Sequence, residues 1–136
     1  MSAISAVTPG GKLYLTKQME SYKGQHAVAF LRHLLRHIAG KLLIIWDGSP
    51  IHRSTAVKDF LSDGGAERIW LERLPAYAPD LNPDEGIWRY LKYVELRNVT
   101  SHDLVDLADE LGRATKRLRH KVKIIQACFA WAGLSV

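Results

Sequence analysis

Two acidic residues are the strongest candidates for chemistry in this sequence. Asp47 directly follows the apolar run at residues 42–46, and Glu85 follows a proline-rich segment and precedes Trp88. An acid after a buried strand and an acid in the first turn of a helix can together hold a divalent metal ion against a phosphodiester. A carboxylate pair that cuts DNA normally works with a third acid, and we find no candidate for it here.

Each candidate also has an ordinary structural explanation, and both alternatives stay open. Asp47 fits a turn or capping aspartate after a strand. Asn82, Pro83 and Glu85 fit the N-cap, N1 and N3 positions of a capping box, which would fold Glu85 onto its own backbone and away from a metal. His52, five residues after Asp47, is a candidate for contacting a phosphate or positioning water, or is a structural histidine.

The apolar periodicity predicts the elements that position these residues. The continuous apolar run 42–46 predicts a strand buried on both faces, as in a parallel sheet covered by helices. A hairpin around the turn signal Thr8-Pro9-Gly10-Gly11 precedes it. The further predictions are helices at 24–39, 54–61, 82–96 and about 101–127, a strand at 69–71 and an extended loop at 74–83. Strands that alternate with helices indicate an α/β layered fold.

Composition indicates a globular protein and excludes several classes. A length of 136 residues favours one domain with a real core, and no segment suits a membrane span or a secretory signal. The single cysteine, Cys128, permits no internal disulfide and fits a reducing cytoplasm. The net charge of +5 suggests a polyanionic partner. The late basic segment is a candidate nucleic-acid contact or a solvated helix face, and its candidate contacts are Arg113, Lys116, Arg117 and Lys121.

Two ordered motifs resemble a known family. They are Trp46-Asp47-Gly48-Ser49-Pro50-Ile51-His52 and Leu74-Pro75-Ala76-Tyr77-Ala78-Pro79-Asp80-Leu81-Asn82-Pro83-Asp84-Glu85, followed by Trp88 and Leu91-Lys92. Together they resemble the catalytic domain of DDE transposases, and in particular the bacterial insertion-sequence group allied to mariner elements. The resemblance covers residues 2–97 well and the basic helix only loosely.

This resemblance implies a fold, a reaction and a site. The fold is a ribonuclease-H-like (retroviral-integrase-type) mixed sheet with flanking helices, in which the first strand lies at the centre between the second and fourth strands. The reaction is metal-dependent DNA strand cleavage and transfer in DNA transposition. Asp47 corresponds to the second catalytic acid and Glu85 to the third, and with a first aspartate they bind two Mg²⁺ or Mn²⁺ ions. DNA is the partner, in the nucleoid of a bacterial cytoplasm.

The sequence departs from the family pattern at its start. The family's first aspartate lies on the strand before the hairpin, and Asp59, Asp63 and Asp80 are in the wrong places to replace it. We therefore expect one partial domain over residues 1–136, incomplete at strand 1, without the helix-turn-helix domains and inactive alone. A homodimer is expected to cover the edge left open; the alternatives are a separate N-terminal transposase half, or the strand at residues 2–7 filling the vacancy within one chain. The alternative is a non-catalytic nucleic-acid-binding or oligomerising remnant; a resolvase-like nuclease fits the proline-rich motif less well.

Overall fold

The protein folds as two compact units, one made of Met1–Ser21 with Pro79–Val136 and the other of Tyr22–Ala78. The computed structural model describes residues 2–74, 81–97 and 103–132. Most of the loop expected at 74–83 therefore lies outside the described residues. In the described ranges, no helix is both long and apolar enough to cross a membrane. The single domain expected from the chain length stays a prediction.

The first unit begins with the expected hairpin. Strands β1 (Ser2–Val7) and β2 (Leu13–Gln18) pair antiparallel, with Val7 opposite Leu13 at the closed end. The Thr8 backbone N–H donates to the Lys12 carbonyl at 3.0 Å, and Gly11 has a φ of 92°. Glycine adopts this left-handed conformation at little cost, so the turn signal in the sequence has a physical basis.

The described part of this unit also contains three α-helices. They are α3 (Pro83–Tyr90), which continues into a π-helical turn at Leu91–Glu95, α4 (Leu104–Arg119) and α5 (Val122–Trp131). Their inward side chains share one core with Leu13 of β2, and its buried members include Ile87, Leu91, Leu118 and Ile125.

The expectation of a single basic helix over residues 101–127 is wrong in one respect, because the helix is interrupted between α4 and α5. His120 caps α4, and Lys121 leaves the helical conformation with φ −101° and ψ 61°. No glycine or proline marks this break. Leu118 and Ile125 are both fully buried on either side of it, so tertiary packing has overridden local helix propensity.

The second unit places one parallel strand pair against two helices. Its elements are α1 (Gly24–His37), β3 (Leu42–Trp46), α2 (Thr55–Ser62) and β4 (Ile69–Arg73), with short 3₁₀ turns at Pro50–Arg53 and Gly65–Glu67. Strands β3 and β4 are parallel, with Leu42 beside Ile69 and Trp46 beside Arg73. Leu31 of α1, Phe60 of α2 and Ile69 of β4 form the core.

Arg68 fixes the end of α1 in this unit. Its guanidinium donates to the carbonyls of Leu35 at 3.2 Å, Ile38 at 2.6 Å and Gly40 at 2.9 Å. The last carbonyls of a helix lack partners within the helix, so a cation that donates to several of them both satisfies and stabilises the terminus.

The expectation that β3 is buried on both faces is wrong. Leu42, Ile44 and Trp46 pack against the core, whereas Leu43 and Ile45 are exposed, together with Trp70 of β4. Both α1 and α2 contribute to the core on one face of the strand pair. The other face of the strand pair is therefore apolar but is not covered by any of the described residues.

The described strands form two two-stranded sheets, β1 with β2 and β3 with β4. Several helices accompany them, so the chain is a mixed α/β protein that is compatible with a ribonuclease-H-like domain. In the expected sheet, the second and third strands pair antiparallel, as β1 and β2 do here. Its fourth and fifth strands pair parallel, as β3 and β4 do. The joined sheet stays a prediction.

Candidate active site

Asp47 lies where β3 ends and the chain turns toward α2. Its carboxylate accepts a hydrogen bond from the Ser49 backbone N–H at 3.0 Å, which is the turn interaction expected of an aspartate here. The side chain is nevertheless 67% exposed, so one face of the carboxylate stays open to a ligand. The turn role and a ligand role are therefore compatible.

His52 packs against the turn that carries this carboxylate. Its ring stacks on Trp46 with the centroids 3.9 Å apart and the planes 3° from parallel. Its Nδ1 lies 3.1 Å from both the carbonyl oxygen and Oδ1 of Asp47. With Nδ1 protonated, His52 donates a hydrogen bond to the Asp47 carbonyl from a side chain that is only 12% exposed. This geometry gives His52 a positioning role toward Asp47; the phosphate contact suggested by the sequence stays a prediction.

Two further side chains of the same unit lie close to Asp47. Arg73 ends β4 beside Trp46, and its Cδ would lie 2.9 Å from a Cβ at Gly48. Tyr22 carries a buried hydroxyl without a hydrogen-bond partner in the described part of the chain. Burial, and then the charge of Asp47, raise the pKa of Tyr22 to about 12. A protonated phenol is thus near the Asp47 carboxylate, and a cationic side chain lies beside the next residue, Gly48.

Glu85 lies in the first turn of α3, in the other unit. Asn82 is the N-cap, as expected, but its side chain accepts from the Asp84 backbone N–H at 3.0 Å. The Glu85 N–H donates to the Asn82 carbonyl at 3.1 Å. Among the described contacts, no capping box forms, so that interpretation is wrong. Glu85 is exposed and is not folded back onto its own backbone.

The neighbouring acid, Asp84, points into the unit instead. The Ser5 hydroxyl of β1 lies 2.7 Å from both carboxylate oxygens of Asp84. The pKa of Asp84 is raised to about 6, chiefly by burial and to a smaller extent by the charge of Glu85, while hydrogen bonds from Ser5 and Trp88 oppose the shift. Adjacent acids in one helical turn therefore have different environments, one exposed and one buried.

The basic segment of α4 and α5 is largely engaged in ion pairs within its own unit. Arg117 Nε donates to Glu95 at 2.7 Å, Lys121 donates to the same carboxylate, and Arg113 pairs with Glu110. The two hydrogen bonds from Arg117 and Lys121 hold the pKa of Glu95 below its usual value. Three of the four cations proposed to contact nucleic acid thus already have anionic partners. The fourth, Lys116, is exposed and has no ion-pair partner among the described residues.

Comparison with known families identifies the chain at a coarse level. Residues 1–108 match the family model described as DDE superfamily endonuclease. The chain belongs to this family. No curated protein and no solved structure matches it. The family acts on DNA and generally uses divalent metal ions, which agrees with the DNA substrate and the metal chemistry expected from the motifs.

The donors in this DDE endonuclease fit a hard divalent cation. Asp47 and Glu85 offer exposed carboxylate oxygens, the ligands that Mg²⁺ and Mn²⁺ prefer. The Ser49 N–H holds the Asp47 carboxylate and His52 holds the Asp47 backbone, in the way that outer residues orient metal ligands. In the described ranges, no group of three or more histidine, cysteine, aspartate or glutamate side chains lies together. The two acids belong to different units.

Sequence reasoning missed three residues of this endonuclease that bear on the two acids. Arg73 had a usable signal, because parallel strands bring their carboxyl ends to the same edge. Tyr22 and Asp84 had none: their burial arises from packing between segments that are distant in the sequence.

Proposed function

We propose that this chain carries two of the acids of a DDE transposase active site and acts in metal-dependent DNA strand cleavage and transfer. Family membership supports the DNA-cleaving reaction class. The finer assignment, an insertion-sequence transposase allied to mariner and working at the bacterial nucleoid, rests on the two ordered motifs. A first aspartate, carried by a further strand or a second polypeptide, completes the acid set.

The observation that carries the proposal is the held but open carboxylate of Asp47. The Ser49 N–H donates to one carboxylate oxygen, His52 Nδ1 lies 3.1 Å from the same oxygen, and the side chain stays 67% exposed. A carboxylate that is held in one orientation binds a ligand more strongly, whereas an aspartate that only stabilises a turn does not need a stacked histidine beside it. Glu85 is likewise exposed and not held by its own helix.

Within this proposal, each residue has a defined task. Asp47 and Glu85 bind Mg²⁺ or Mn²⁺, which when bound activates the attacking oxygen and stabilises the leaving oxygen of an in-line displacement. His52 donates its Nδ1–H to the Asp47 backbone carbonyl and so fixes the end of β3 that carries the carboxylate. Arg73, beside Gly48, is placed to contact a phosphate of the strand near Asp47.

Metal binding tests the proposal without requiring turnover. We expect Mn²⁺ to bind in the millimolar range, measured by titration calorimetry or paramagnetic broadening. Asp47→Asn and Glu85→Gln should each weaken binding by at least about tenfold, since loss of an orienting partner alone typically has that effect. Asp59→Asn, an exposed acid outside the site, is the matched control. Equal affinities in all four proteins would refute the assignment.

An assay of DNA nicking and strand transfer is a second, independent test of the proposal. The chain by itself should not transfer strands, because two-metal catalysis needs a bridging acid that we have not found in it. Robust plasmid nicking by the purified chain, abolished by Glu85→Gln, would show that the acid set is already complete. Nicking that Glu85→Gln leaves unchanged would point to a contaminating nuclease.

A non-catalytic, oligomerising role is the second candidate, and one observation favours it. Leu43, Ile45 and Trp70 form an exposed apolar face on a parallel strand pair, a surface that soluble proteins normally cover. A homodimer is the partner expected in that case. Light scattering on dilute protein tests it: a monomer whose mass is unchanged by Leu43→Lys would exclude pairing through this face.

A further inference from the structure

A cavity lies in the first unit. It has a volume of about 300 Å³ and opens between the α3–π segment and α5. Tyr90, Tyr93, Val94 and Trp131 contribute to its walls, and Cys128 lies beside Gly86. A Cβ at Gly86 would lie 2.9 Å from the Cys128 sulfur, so the helices approach closely here and the cavity lies beside rigid packing. Its size is at the lower end for ligand sites.

The aromatic walls of this cavity are open to solvent. Trp131 is 45% exposed and Tyr93 is 59% exposed, although both belong to a well-packed helical unit. Large aromatic side chains are expensive to leave in water, and two of them around one cavity indicate a surface that binds something flat or apolar.

Cations accompany both exposed rings. The Arg89 guanidinium lies 4.6 Å from the Trp131 ring centroid, and the Lys92 ammonium lies 5.2 Å from the Tyr93 centroid. Lys121 is close to Tyr90 but is bound to Glu95, so it adds little free charge. An apolar peptide or a second copy of an apolar face would not call for a cation at each ring. The occupant should therefore combine flat apolar groups with negative charge.

The position of the cavity relative to Glu85 indicates the path that a bound DNA strand would take. Arg89 and Lys92 follow Glu85 by four and seven residues, which places all three on one side of the same helical segment, and all three are exposed. A DNA strand that passes Glu85 would meet Arg89 and Lys92 next, with Tyr93 and Trp131 beside them.

We propose that this cavity binds unstacked bases of a single-stranded DNA segment. Trp131 and Tyr93 stack on the bases, while Arg89 and Lys92 neutralise the adjacent phosphates. Alternating aromatic and cationic groups are the combination by which proteins hold single strands without reading their sequence. The inference rests on the proposed function only in taking DNA as the substrate; it needs neither a bound metal nor catalysis.

Binding of a short labelled strand to the full chain tests the cavity. The probe is a thymidine oligonucleotide of about ten nucleotides, titrated in the presence of a chelator and followed by fluorescence anisotropy. Trp131→Ala should weaken binding by roughly 5- to 100-fold, the range expected from the loss of stacking on one base. Trp70→Ala is the matched control, because Trp70 is even more exposed but lies on β4 of the other unit.

A second probe separates stacking from charge. An abasic strand of the same length carries the same phosphates, so Trp131→Ala should hardly change its affinity, whereas Arg89→Gln should weaken both strands. Trp131→Phe should restore most of the affinity for the thymidine strand, which also guards against a folding defect. Equal losses in Trp131→Ala and Trp70→Ala, an equal loss for the abasic strand, or no binding by the unaltered chain would overturn the proposal.

Failure of the two proposals can be told apart. If Asp47→Asn and Glu85→Gln leave Mn²⁺ binding unchanged while Trp131→Ala still weakens strand binding, the metal site is wrong and the cavity stands. If metal binding depends on the acids but Trp131 is irrelevant to the strand, the opposite holds. A change in oligomeric mass of Trp131→Ala, without a change in strand affinity, would assign the cavity to a second copy.

Discussion

Asp84 should make the stability of this protein depend on pH in an unusual direction. Its pKa rises from 3.8 to about 6 because the folded chain buries the carboxylate. The folded state therefore keeps a proton that the unfolded chain has released. Its contribution to stability is complete below pH 4 and is lost as the pH rises through 6. A shift of this size corresponds to about 3 kcal/mol.

Asp84→Asn isolates this contribution. The amide cannot ionise, and Ser5 can still bond to it, so the variant should match the unaltered protein near pH 4. At pH 7 it should be more stable by about 3 kcal/mol, because the ionised Asp84 carries the full cost of the pKa shift and the amide carries none. The difference between the two proteins is the informative quantity, since every other titrating group is common to both.

Urea denaturation at several pH values, with a chelator present to exclude metal at Glu85, measures that difference. Asp59→Asn is the exposed control and should shift stability by less than about 0.5 kcal/mol at any pH. Ser5→Ala should be more harmful at pH 7 than at pH 4, because it removes a hydrogen bond to the charged carboxylate. A difference between the Asp84→Asn variant and the unaltered protein that stays constant from pH 4 to pH 7 would refute the reasoning.

Three further outcomes follow from contacts within the units. Arg68→Ala should lower the free energy of unfolding by about 2 kcal/mol, and Arg68→Lys should recover less than half of it, since one ammonium cannot reproduce three guanidinium bonds to carbonyls. Gly86→Ala should lower stability by about 1–3 kcal/mol in thermal denaturation, because its methyl group meets the Cys128 sulfur. Glu95→Gln should strengthen binding to duplex DNA at low salt, because it releases Arg117 and Lys121 from their shared carboxylate. The dependence of log affinity on log salt should steepen by about 1 for each released cation that contacts a phosphate. An unchanged slope would show that those cations do not face DNA.

Local signals in the sequence were sufficient for most of the secondary structure. The Thr8–Gly11 turn, the helical spacing after Gly24, and the strand ending before Asp47 all correspond to observed elements. Each depends on interactions within a few residues, and such interactions are encoded where they occur. The family and its DNA substrate followed from motif order, which the match over residues 1–108 supports.

What the sequence concealed depended on packing between distant segments. Nothing local marks the break between α4 and α5, nor tells the buried Asp84 from the exposed Glu85, since the two acids are neighbours in one helical turn. The apolar run 42–46 correctly predicted a strand but not its exposed face, because residue type does not say which side receives a helix. The stacking of His52 on Trp46 needed the turn geometry between them.

The π-helical turn at Leu91–Glu95 has a consequence for how this chain tolerates changes in length. The Leu96 N–H donates to the Leu91 carbonyl five residues earlier, at 2.9 Å. An α-helix would make that bond across four residues, so the turn holds one extra residue. Loss of one codon among residues 92–94 would let Leu96 follow Leu91 at the α-helical interval and keep its place against the core. The deletion would shorten only the solvent side, where Tyr93 and Val94 border the cavity. Codon-length variation here would thus remodel a surface and spare the core.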